Sequence, residues 1–206
     1  MIKKDTQGVT FAKGFTAAGV KAGIKKSGNL DVAVIYTKTQ AVVAGTFTQN
    51  KVAAAPVYVS KEVVATGTAH AIVANAGCAN ACTGQQGLDD AHKMAQIAAD
   101  ELGVNANDVI VGSTGVIGVN LPMDKLEAGI KDAVAHLSAD GSDNAGRAII
   151  TTDTHSKSVT CEFELSGKTV RMGAIAKGSG MIRPNMATML CYITSDIAID
   201  QALLLQ

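Results

Sequence analysis

The chain has 206 residues, of which 47% are hydrophobic, so it can form one large domain or two small ones around a sizeable core. Its 18 basic and 18 acidic residues balance without a long run of either sign, which excludes the electrostatic footprint of a nucleic-acid or acidic-membrane binder. No apolar run is long enough to span a bilayer, and the first residues lack the apolar core of a signal peptide, so a cytoplasmic location is predicted.

The first third of the chain predicts strands. Residues 8–28 are rich in glycine, which indicates short strands and turns. The segments 31–36 and 41–47 are apolar and β-branched with polar residues between them, which predicts an antiparallel pair. Residues 56–60 predict a further short extended piece.

Strands and helices alternate in the middle of the chain. Residues 71–75 predict a buried strand that runs into 76–84, a loop of small and amide-bearing residues. This loop either places hydrogen-bond donors near a ligand or only packs tightly, and both interpretations stay open. Helices are predicted over 87–102, which Gly103 ends, from Asp124, which can cap a helix, and over 143–150.

Residues 108–118 predict a buried strand that ends in a glycine-rich turn. The glycine spacing is not that of a dinucleotide-binding loop, and no P-loop lysine follows, so nucleotide binding is disfavoured. Thr114 and Gly115 instead offer a hydroxyl beside an unencumbered backbone N–H, which is the chemistry that stabilises an oxyanion. An ordinary turn at the end of a strand would look similar.

A hairpin is predicted next. Residues 151–155 cluster hydroxyls and a carboxylate, and 158–165 alternate between apolar and polar residues before a turn and a returning strand over 168–176. The alternation predicts that one face of the first strand meets water. Val159, Cys161, Phe163 and Leu165 would form the packed face, and Thr160, Glu162 and Glu164 the wet one.

The segment 177–190 begins with Lys177, and its glycines and proline bend it in a defined way. Thr188 follows Ala187 and starts an apolar run. A threonine hydroxyl becomes a nucleophile when its own α-amine acts as the base, which requires a cut between Ala187 and Thr188. The alternative is that Thr188 only begins a strand. Together the elements predict a mixed α/β fold without a dividing linker.

The four cysteines, at 78, 82, 161 and 191, do not indicate a disulfide framework, because a cytoplasmic chain of this size does not need one. Their spacing also lacks the paired Cys-x-x-Cys of a zinc site. We interpret them as small buried hydrophobic residues and predict no metal. The alternative is a metal site built from Cys78, Cys82 and His92.

Four motifs, in this order along the chain, closely resemble the ornithine acetyltransferase family of arginine biosynthesis, ArgJ. The likeness runs nearly the whole length of the sequence. The motifs are Asn-Ala-Gly-Cys-Ala-Asn-Ala-Cys-Thr-Gly at 75–84, Gly-Ser-Thr-Gly-Val-Ile-Gly at 112–118, Thr-Thr-Asp-Thr at 151–154, and the stretch 177–190, which ends in Ala-Thr-Met-Leu.

The resemblance implies a longer precursor that cuts itself between Ala187 and Thr188. Residues 1–187 would then belong to an alpha chain, and 188–206 would start a beta chain. Thr188 would be the nucleophile that carries the acetyl group of N-acetylornithine to glutamate by a ping-pong mechanism. The beta chain of the same precursor would be the partner, in an alpha2-beta2 assembly.

The resemblance also implies roles for individual residues. Thr114 and Gly115 match the oxyanion pair of the family, and Thr151, Lys177 and Thr188 match its substrate-contacting positions. No cofactor is implied, although acetyl-CoA would be a second acetyl donor if the enzyme is bifunctional. The implied fold is an αββα sandwich, two sheets between helix layers, which is similar to but topologically distinct from that of the N-terminal nucleophile hydrolases.

Two departures from the family pattern bear on these expectations. Cys78 stands where the family loop would carry an asparagine. The sequence ends at Gln206, soon after Thr188, so we expect this polypeptide alone to bind substrate poorly and to be inactive. Two other classes stay open: a self-cleaving amidohydrolase or aminopeptidase in which water accepts the acyl group, and a non-catalytic half that only assembles with a partner chain.

Overall fold

The computed structural model describes residues 2–178 and 189–206, with the backbone alone for residues 2–4. Within these ranges the chain forms two four-stranded sheets and five α-helices. The strands are β1 (Ile2–Lys4), β2 (Phe15–Val20), β3 (Val32–Val42), β4 (Thr68–Cys78), β5 (Val109–Val116), β6 (Lys157–Leu165), β7 (Lys168–Lys177) and β8 (Leu190–Ser195), and the helices are α1 (Ala55–Thr66), α2 (Gly84–Leu102), α3 (Met123–Ala135), α4 (Ser142–Ile149) and α5 (Gln201–Leu204).

The first sheet has the strand order β2, β3, β4, β5. The first three strands pair antiparallel, whereas β4 and β5 are parallel and are connected through α2, because parallel neighbours need a crossover. Residues 32–35 are buried in succession, as expected for a strand that is covered on both faces. Val32 and Val34 belong to the core beneath the helices, whereas Ala33 and Ile35 face the second sheet.

Helices α1, α2 and α3 cover the outer face of the first sheet. Met94 on α2 and Leu126 and Ile130 on α3 are fully buried there. Burial of each of these side chains contributes about 2 kcal/mol to stability. Helix α2 ends at Gly103, whose left-handed φ of +68° lets its N–H cap the carbonyl of Ala99.

The second sheet is antiparallel throughout, in the order β1, β6, β7, β8. Helix α4 lies between the two sheets and contacts β2 and β3 on one side and β7 on the other. A Cβ at Gly19 on β2 would collide with the backbone of Asn144, so glycine lets α4 rest directly on the first sheet. We call α4 and the side chains that face it from both sheets the inter-sheet layer.

The predicted mixed α/β fold with two facing sheets is confirmed. Within the described ranges, the layer of helices lies on the first sheet, and the outer face of the second sheet is not covered by a helix. No helix in these ranges is both long and apolar enough to cross a membrane. The strands predicted over 71–75, 108–118, 158–165 and 168–176, and the helices predicted over 87–102, from 124 and over 143–150, are all present with shifted bounds.

Two strand predictions in the first third are wrong. The segments 31–36 and 41–47 do not form an antiparallel pair, because β3 runs from the first into the second and pairs with β2 and β4 instead. An irregular register between Tyr36 and Ala41 accommodates the polar residues within the strand. Residues 56–60 lie in α1 rather than in an extended piece. Pro56 is in its first turn, where its missing N–H leaves no hydrogen bond unmade.

The predicted orientation of β6 is wrong at its start. Ser158 and Thr160 are buried, whereas Val159 is 43% exposed. The reason is the tightness of the inter-sheet layer, where a Cβ at Gly173 would collide with the carbonyl of Gly8, so that small side chains fit best.

Two smaller expectations also need correction. Asp124 does not cap α3, because the helix already begins at Met123. Cys78 is buried as predicted, but Cys161 is only partly buried and the cysteines at 82 and 191 are exposed. In the part of the chain that the structure describes, no group of three or more His, Cys, Asp or Glu side chains converges as a metal site requires.

Candidate active site

Thr114 lies near the end of β5 and is 5% exposed. Gly112, two residues earlier on the same face, packs so closely against the hydroxyl of Tyr192 on β8 that a Cβ would collide with it. Because alternate residues of a strand share a face, the side chain of Thr114 also points from the first sheet towards the second. The hydroxyl therefore faces the inter-sheet layer.

Gly115 follows with a φ of +137°, which a residue with a side chain rarely adopts. A Cβ at this position would also collide with the backbone of Gly77 on the neighbouring strand β4. The register between β4 and β5 is irregular at this point, so the strands end in a local distortion. The sequence thus needs glycine at 115 for both conformation and space.

A buried asparagine holds this distortion in place. Asn75 on β4 is fully buried, its Oδ1 accepts a hydrogen bond from the Ser113 hydroxyl (2.6 Å), and its Nδ2 donates to the carbonyl of Cys78 (3.0 Å). One side chain thereby ties the residue before Thr114 to the start of the loop after β4. Sequence reasoning quoted Asn75 only as part of a motif and did not identify this contact.

The loop that follows β4 packs tightly, which favours the second of the two interpretations left open by the sequence. Asn80 is fully buried, its Nδ2 donates to the carbonyl of Gly87 (2.7 Å), and its Oδ1 accepts from the Thr83 hydroxyl (2.8 Å). The amide of Ala79 donates to the carbonyl of Val116 (2.8 Å). The backbone of this loop therefore holds the end of β5, and the Asn80 side chain holds the loop to the start of α2.

Lys177 is the last residue of β7 and is 1% exposed. Its ammonium donates to the carbonyl of Gly178 (3.0 Å). Burial lowers the pKa of Lys177, the charge of Asp153 opposes this shift, and the charge of Lys157 reinforces it. A buried ammonium of this kind is suited to pairing with a substrate carboxylate.

Asp153 lies in the loop between α4 and β6, and its side chain is 2% exposed. Its Oδ1 accepts hydrogen bonds from the Lys157 ammonium and from the backbone N–H of Gly178 (2.9 Å). Burial acts to raise the pKa of Asp153, but these two hydrogen bonds and the charges of Lys157 and Lys177 outweigh burial and lower it. Sequence reasoning noted a carboxylate in this cluster but assigned it no role.

The strand registers show where these residues lie along the first sheet. Thr114 pairs with Ala76, whose amide donates to the carbonyl of Asp31 (2.9 Å), so Thr114 lies at the end of the sheet where β2 turns into β3. Helix α4 points to the same end, because the ammonium of Lys25 in that turn donates to the carbonyl of Ala148 (3.2 Å) near the end of the helix.

Strand β7 of the second sheet runs in the same direction as α4, because Gly8 lies close both to Ser142 at the start of the helix and to Gly173 on β7. Ile175 on β7 lies beside Gly146 in the middle of α4, and Lys177 lies two residues further along the strand. Thr151 follows two residues after the end of α4 and is partly buried. The fold therefore brings Thr114, Thr151 and Lys177 to one end of the inter-sheet layer.

Thr188 and Ala187 lie outside the described residues. The chain re-enters the described part at Met189, and Leu190, the first residue of β8, pairs with Lys177. Of the residues predicted from the sequence, the structure therefore describes Thr114, Gly115, Thr151 and Lys177.

Comparison with known proteins gives a consistent picture. A model of the ArgJ family matches residues 16–206. The arginine biosynthesis bifunctional protein ArgJ of Symbiobacterium thermophilum is 51% identical over 96% of this chain, which covers 50% of that relative. The ArgJ of Synechocystis is 48% identical over 95% of this chain and is covered over 48% of its own length. The chain thus spans about half the length of these curated relatives.

Two crystal structures have similar folds. Ornithine acetyltransferase from Mycobacterium tuberculosis, complexed with ornithine, matches with a TM-score of 0.84 and 43% identity, over 91% of this chain and 100% of the crystal chain. The arginine biosynthesis bifunctional protein ArgJ from Bacillus halodurans matches with a TM-score of 0.83 and 42% identity, over 91% of this chain and 98% of the crystal chain. On the family match and these identities, the chain belongs to the ArgJ family.

Proposed function

We propose that this chain forms the first half of an acetyltransferase that moves the acetyl group of N2-acetyl-L-ornithine to L-glutamate in arginine biosynthesis. The observation that carries the proposal is the gathering of Thr114, Thr151 and the buried Lys177 at one end of the inter-sheet layer. The relative from M. tuberculosis, 43% identical, was crystallised with ornithine, which supports this substrate class.

The reaction begins with self-cleavage. The hydroxyl oxygen of Thr188 attacks the carbonyl carbon of Ala187, the C–N bond breaks, and the acyl group moves from nitrogen to oxygen. Water then hydrolyses the ester, which leaves a carboxylate on Ala187 and a free amine on Thr188. The lengths of the relatives support such a break. A match over 91% of this chain covers the two crystal chains almost completely, whereas a match over 96% of it covers only 50% of the curated relative. The crystal chains are therefore about half as long as the curated relative, as a break near this position would make them.

The freed amine of Thr188 then acts as the base for its own hydroxyl. The oxygen attacks the acetyl carbonyl of acetylornithine, and the developing oxyanion accepts hydrogen bonds from the Thr114 hydroxyl and the Gly115 N–H. Collapse breaks the bond to the α-nitrogen and expels the α-amine of ornithine, which takes up the proton, and leaves acetyl-Thr188. The uncharged amine of glutamate attacks this ester in turn and regenerates the threonine.

Lys177 and Thr151 hold the substrate in this scheme. The ammonium of Lys177 pairs with a carboxylate, which N-acetylornithine and glutamate both carry. The rigid strand ending of β7 and the loop after α4 fix the two side chains relative to the oxyanion pair, so that attack occurs within a bound complex.

The second half of the protein is the proposed partner, in an alpha2-beta2 assembly. The outer face of the second sheet supports this proposal, because Val159 on β6 is 43% exposed and Ile193 on β8 is 60% exposed, and both pair with Ala174 on the strand between them. Apolar side chains on the face of a sheet favour a covering layer.

The experiment uses the full-length protein. Intact-mass analysis is expected to find a break before Thr188, and acetylornithine with glutamate is expected to yield N-acetylglutamate and ornithine in equal amounts. Thr188→Ala should abolish both. An active protein without the break, or an active Thr188→Ala variant, would contradict the proposal.

Two further arms of the assay separate the alternatives. Release of acetate without acetylglutamate would show a hydrolase, in which water is the acceptor. Because the relatives are named bifunctional, acetyl-CoA is tested as a second donor with glutamate as the acceptor. Acetylglutamate formed from acetyl-CoA would add this donor to the proposed reaction.

A further inference from the structure

Asp153 connects three separate segments at the candidate active site. It lies in the loop after α4, it accepts a hydrogen bond from Lys157 at the start of β6, and it accepts another from the N–H of Gly178 directly after β7. The amide of Gly178 and the carboxylate meet at 2.9 Å. A single carboxylate therefore fixes where the chain leaves the second sheet beside Lys177.

Asp153 and Lys177 are both buried, which makes the hydrogen bond between Asp153 and Gly178 energetically important. The carboxylate of Asp153 is 2% exposed and the side chain of Lys177 is 1% exposed, whereas Lys157 keeps 46% of its side chain in solvent. Burial of a carboxylate costs free energy that donors offset, and here a backbone amide of the site is one of the two donors to Oδ1. An ion pair with Lys157 alone would not require the amide of Gly178.

Lys177 depends on the same turn. Its ammonium donates to the carbonyl of Gly178 (3.0 Å), while the N–H of Gly178 donates to Asp153. The N–H of Gly178 is thus bonded to the carboxylate of Asp153, and its C=O is bonded to the ammonium of Lys177. Movement of this glycine would move the atom to which the ammonium is bonded.

We propose that Asp153 is a positioning residue of the acetyltransferase site, which holds the Gly178 turn and through it aims the ammonium of Lys177 at the substrate carboxylate. This inference rests on the proposed function, since it assigns Lys177 the carboxylate of the substrate. Asp153 itself touches no reacting atom.

The test uses three variants of the full-length protein. Asp153→Ala removes the acceptor and the charge, whereas Asp153→Asn keeps an acceptor oxygen for the Gly178 N–H. Asp143→Asn is the matched control, because Asp143 and Arg147 also form an ion pair four residues apart (2.9 Å), but on α4 and with the two side chains 34% and 62% exposed.

The expected results separate positioning from mere stability. In folded Asp153→Ala, hydrogen exchange at Gly178 should be about tenfold faster and the KM for acetylornithine about tenfold higher, with a smaller change in kcat. Asp153→Asn should largely restore slow exchange at Gly178 and show a smaller rise in KM. Asp143→Asn should change neither.

Two results would overturn the inference. One is unchanged exchange at Gly178 in folded Asp153→Ala, and the other is faster exchange with a KM within twofold of wild type. If Asp153→Ala does not fold, the decision passes to Asp153→Asn, where an unchanged KM overturns the inference and a raised KM supports it. An inactive wild type would contradict the proposed function instead. Hydrogen exchange at the Gly178 amide would still decide whether Asp153 fixes the Gly178 turn.

Discussion

The two sheets are built from opposite patterns. In the first sheet, residues 32–35 are buried without interruption, because helices cover one face and the inter-sheet layer covers the other. In the second sheet, Ser158, Thr160 and Thr194 are buried on the inner face, whereas Ile193 is 60% exposed on the outer face. The first sheet is therefore covered on both faces, whereas the second places polar side chains beside Ile175 on its inner face and leaves Ile193 exposed on its outer face.

Hydrogen bonding shows the same contrast. Among the described residues, four buried side-chain polar atoms have no hydrogen-bond partner, and all four belong to the second sheet or to the loop that leads into it. Buried groups of the first sheet such as Asn75 have theirs satisfied within the chain. An unpaired buried polar atom costs stability, so the described interior of the second sheet is less well satisfied than that of the first. The atoms are Asp153 Oδ2, Ser156 Oγ, Ser158 Oγ and Tyr192 Oη.

The largest effect is expected from a pair of isoleucines on opposite faces of the second sheet. Ile175→Ala empties a fully buried site in the inter-sheet layer and should lower the free energy of unfolding by about 2–5 kcal/mol. Ile193→Ala, at a side chain 60% exposed, should change it by less than about 0.5 kcal/mol in this polypeptide. Urea titration of both variants measures the difference.

The same pair tests whether the outer face is covered in the full-length protein. If the second half packs there, Ile193→Ala should destabilise the assembled protein more than it destabilises the 206-residue polypeptide. Equal effects in both would contradict the proposed covering of this face.

The next effect concerns catalysis rather than folding. Thr114→Val removes the hydroxyl but keeps the branched shape, so kcat of the full-length enzyme should fall about 10²- to 10³-fold while the fold is kept. Thr68→Val makes the same change at the opposite end of the first sheet, where Thr68 pairs with Val42, and should leave kcat unchanged. Steady-state acetyl transfer measures both. An equal loss in the two variants would show that Thr114 acts only through the sheet.

Sequence patterns predicted the burial of residues 32–35 in the first sheet but not the inner face of β6 in the second, for a physical reason. The succession Val-Ala-Val-Ile at 32–35 is buried on both faces, so any register gives the same burial. The alternation in β6 predicted the wrong face at Val159 and Ser158, because the orientation depends on the closeness of Gly8 and Gly173, which lie far apart in the sequence. Short-range patterns contain no information on such an approach.

The candidate site also contains residues that local motifs indicate and contacts that they do not. Thr114, Thr151 and Lys177 were proposed as site residues because each lies within a recognisable stretch of sequence, and their roles stay predictions. Asp153 and Asn75 were missed as contacts, since Asp153 bonds to Gly178, 25 residues away, and Asn75 bonds to Ser113, 38 residues away. Only the folded chain brings these pairs together.

A glycine on the first sheet should give a smaller effect. Gly19→Ala places a methyl group against the backbone of Asn144, and overpacking of this kind costs about 1–3 kcal/mol in the free energy of unfolding. Gly45→Ala is the control, because its methyl group would meet only side chains of Phe47 and Val64, at 3.2–3.3 Å. Thermal or urea unfolding compares the two, and similar losses would contradict the tight seating of α4 on β2.

The smallest effect is a dependence of stability on pH that originates in the second sheet. The contacts of Asp153 hold its pKa below the usual value, whereas the pKa of the same carboxyl in the unfolded chain is about 3.9. The unfolded state therefore binds more protons in acid, and the stability contributed by Asp153 is full above the unfolded pKa and is lost as the pH falls through the folded pKa. The gap in unfolding free energy between wild type and Asp153→Asn should be constant near neutral pH and should narrow below about pH 4. Urea titrations over a pH series measure it. A gap that stays constant into acid would show that the Gly178 amide and Lys157 do not favour the ionised carboxylate.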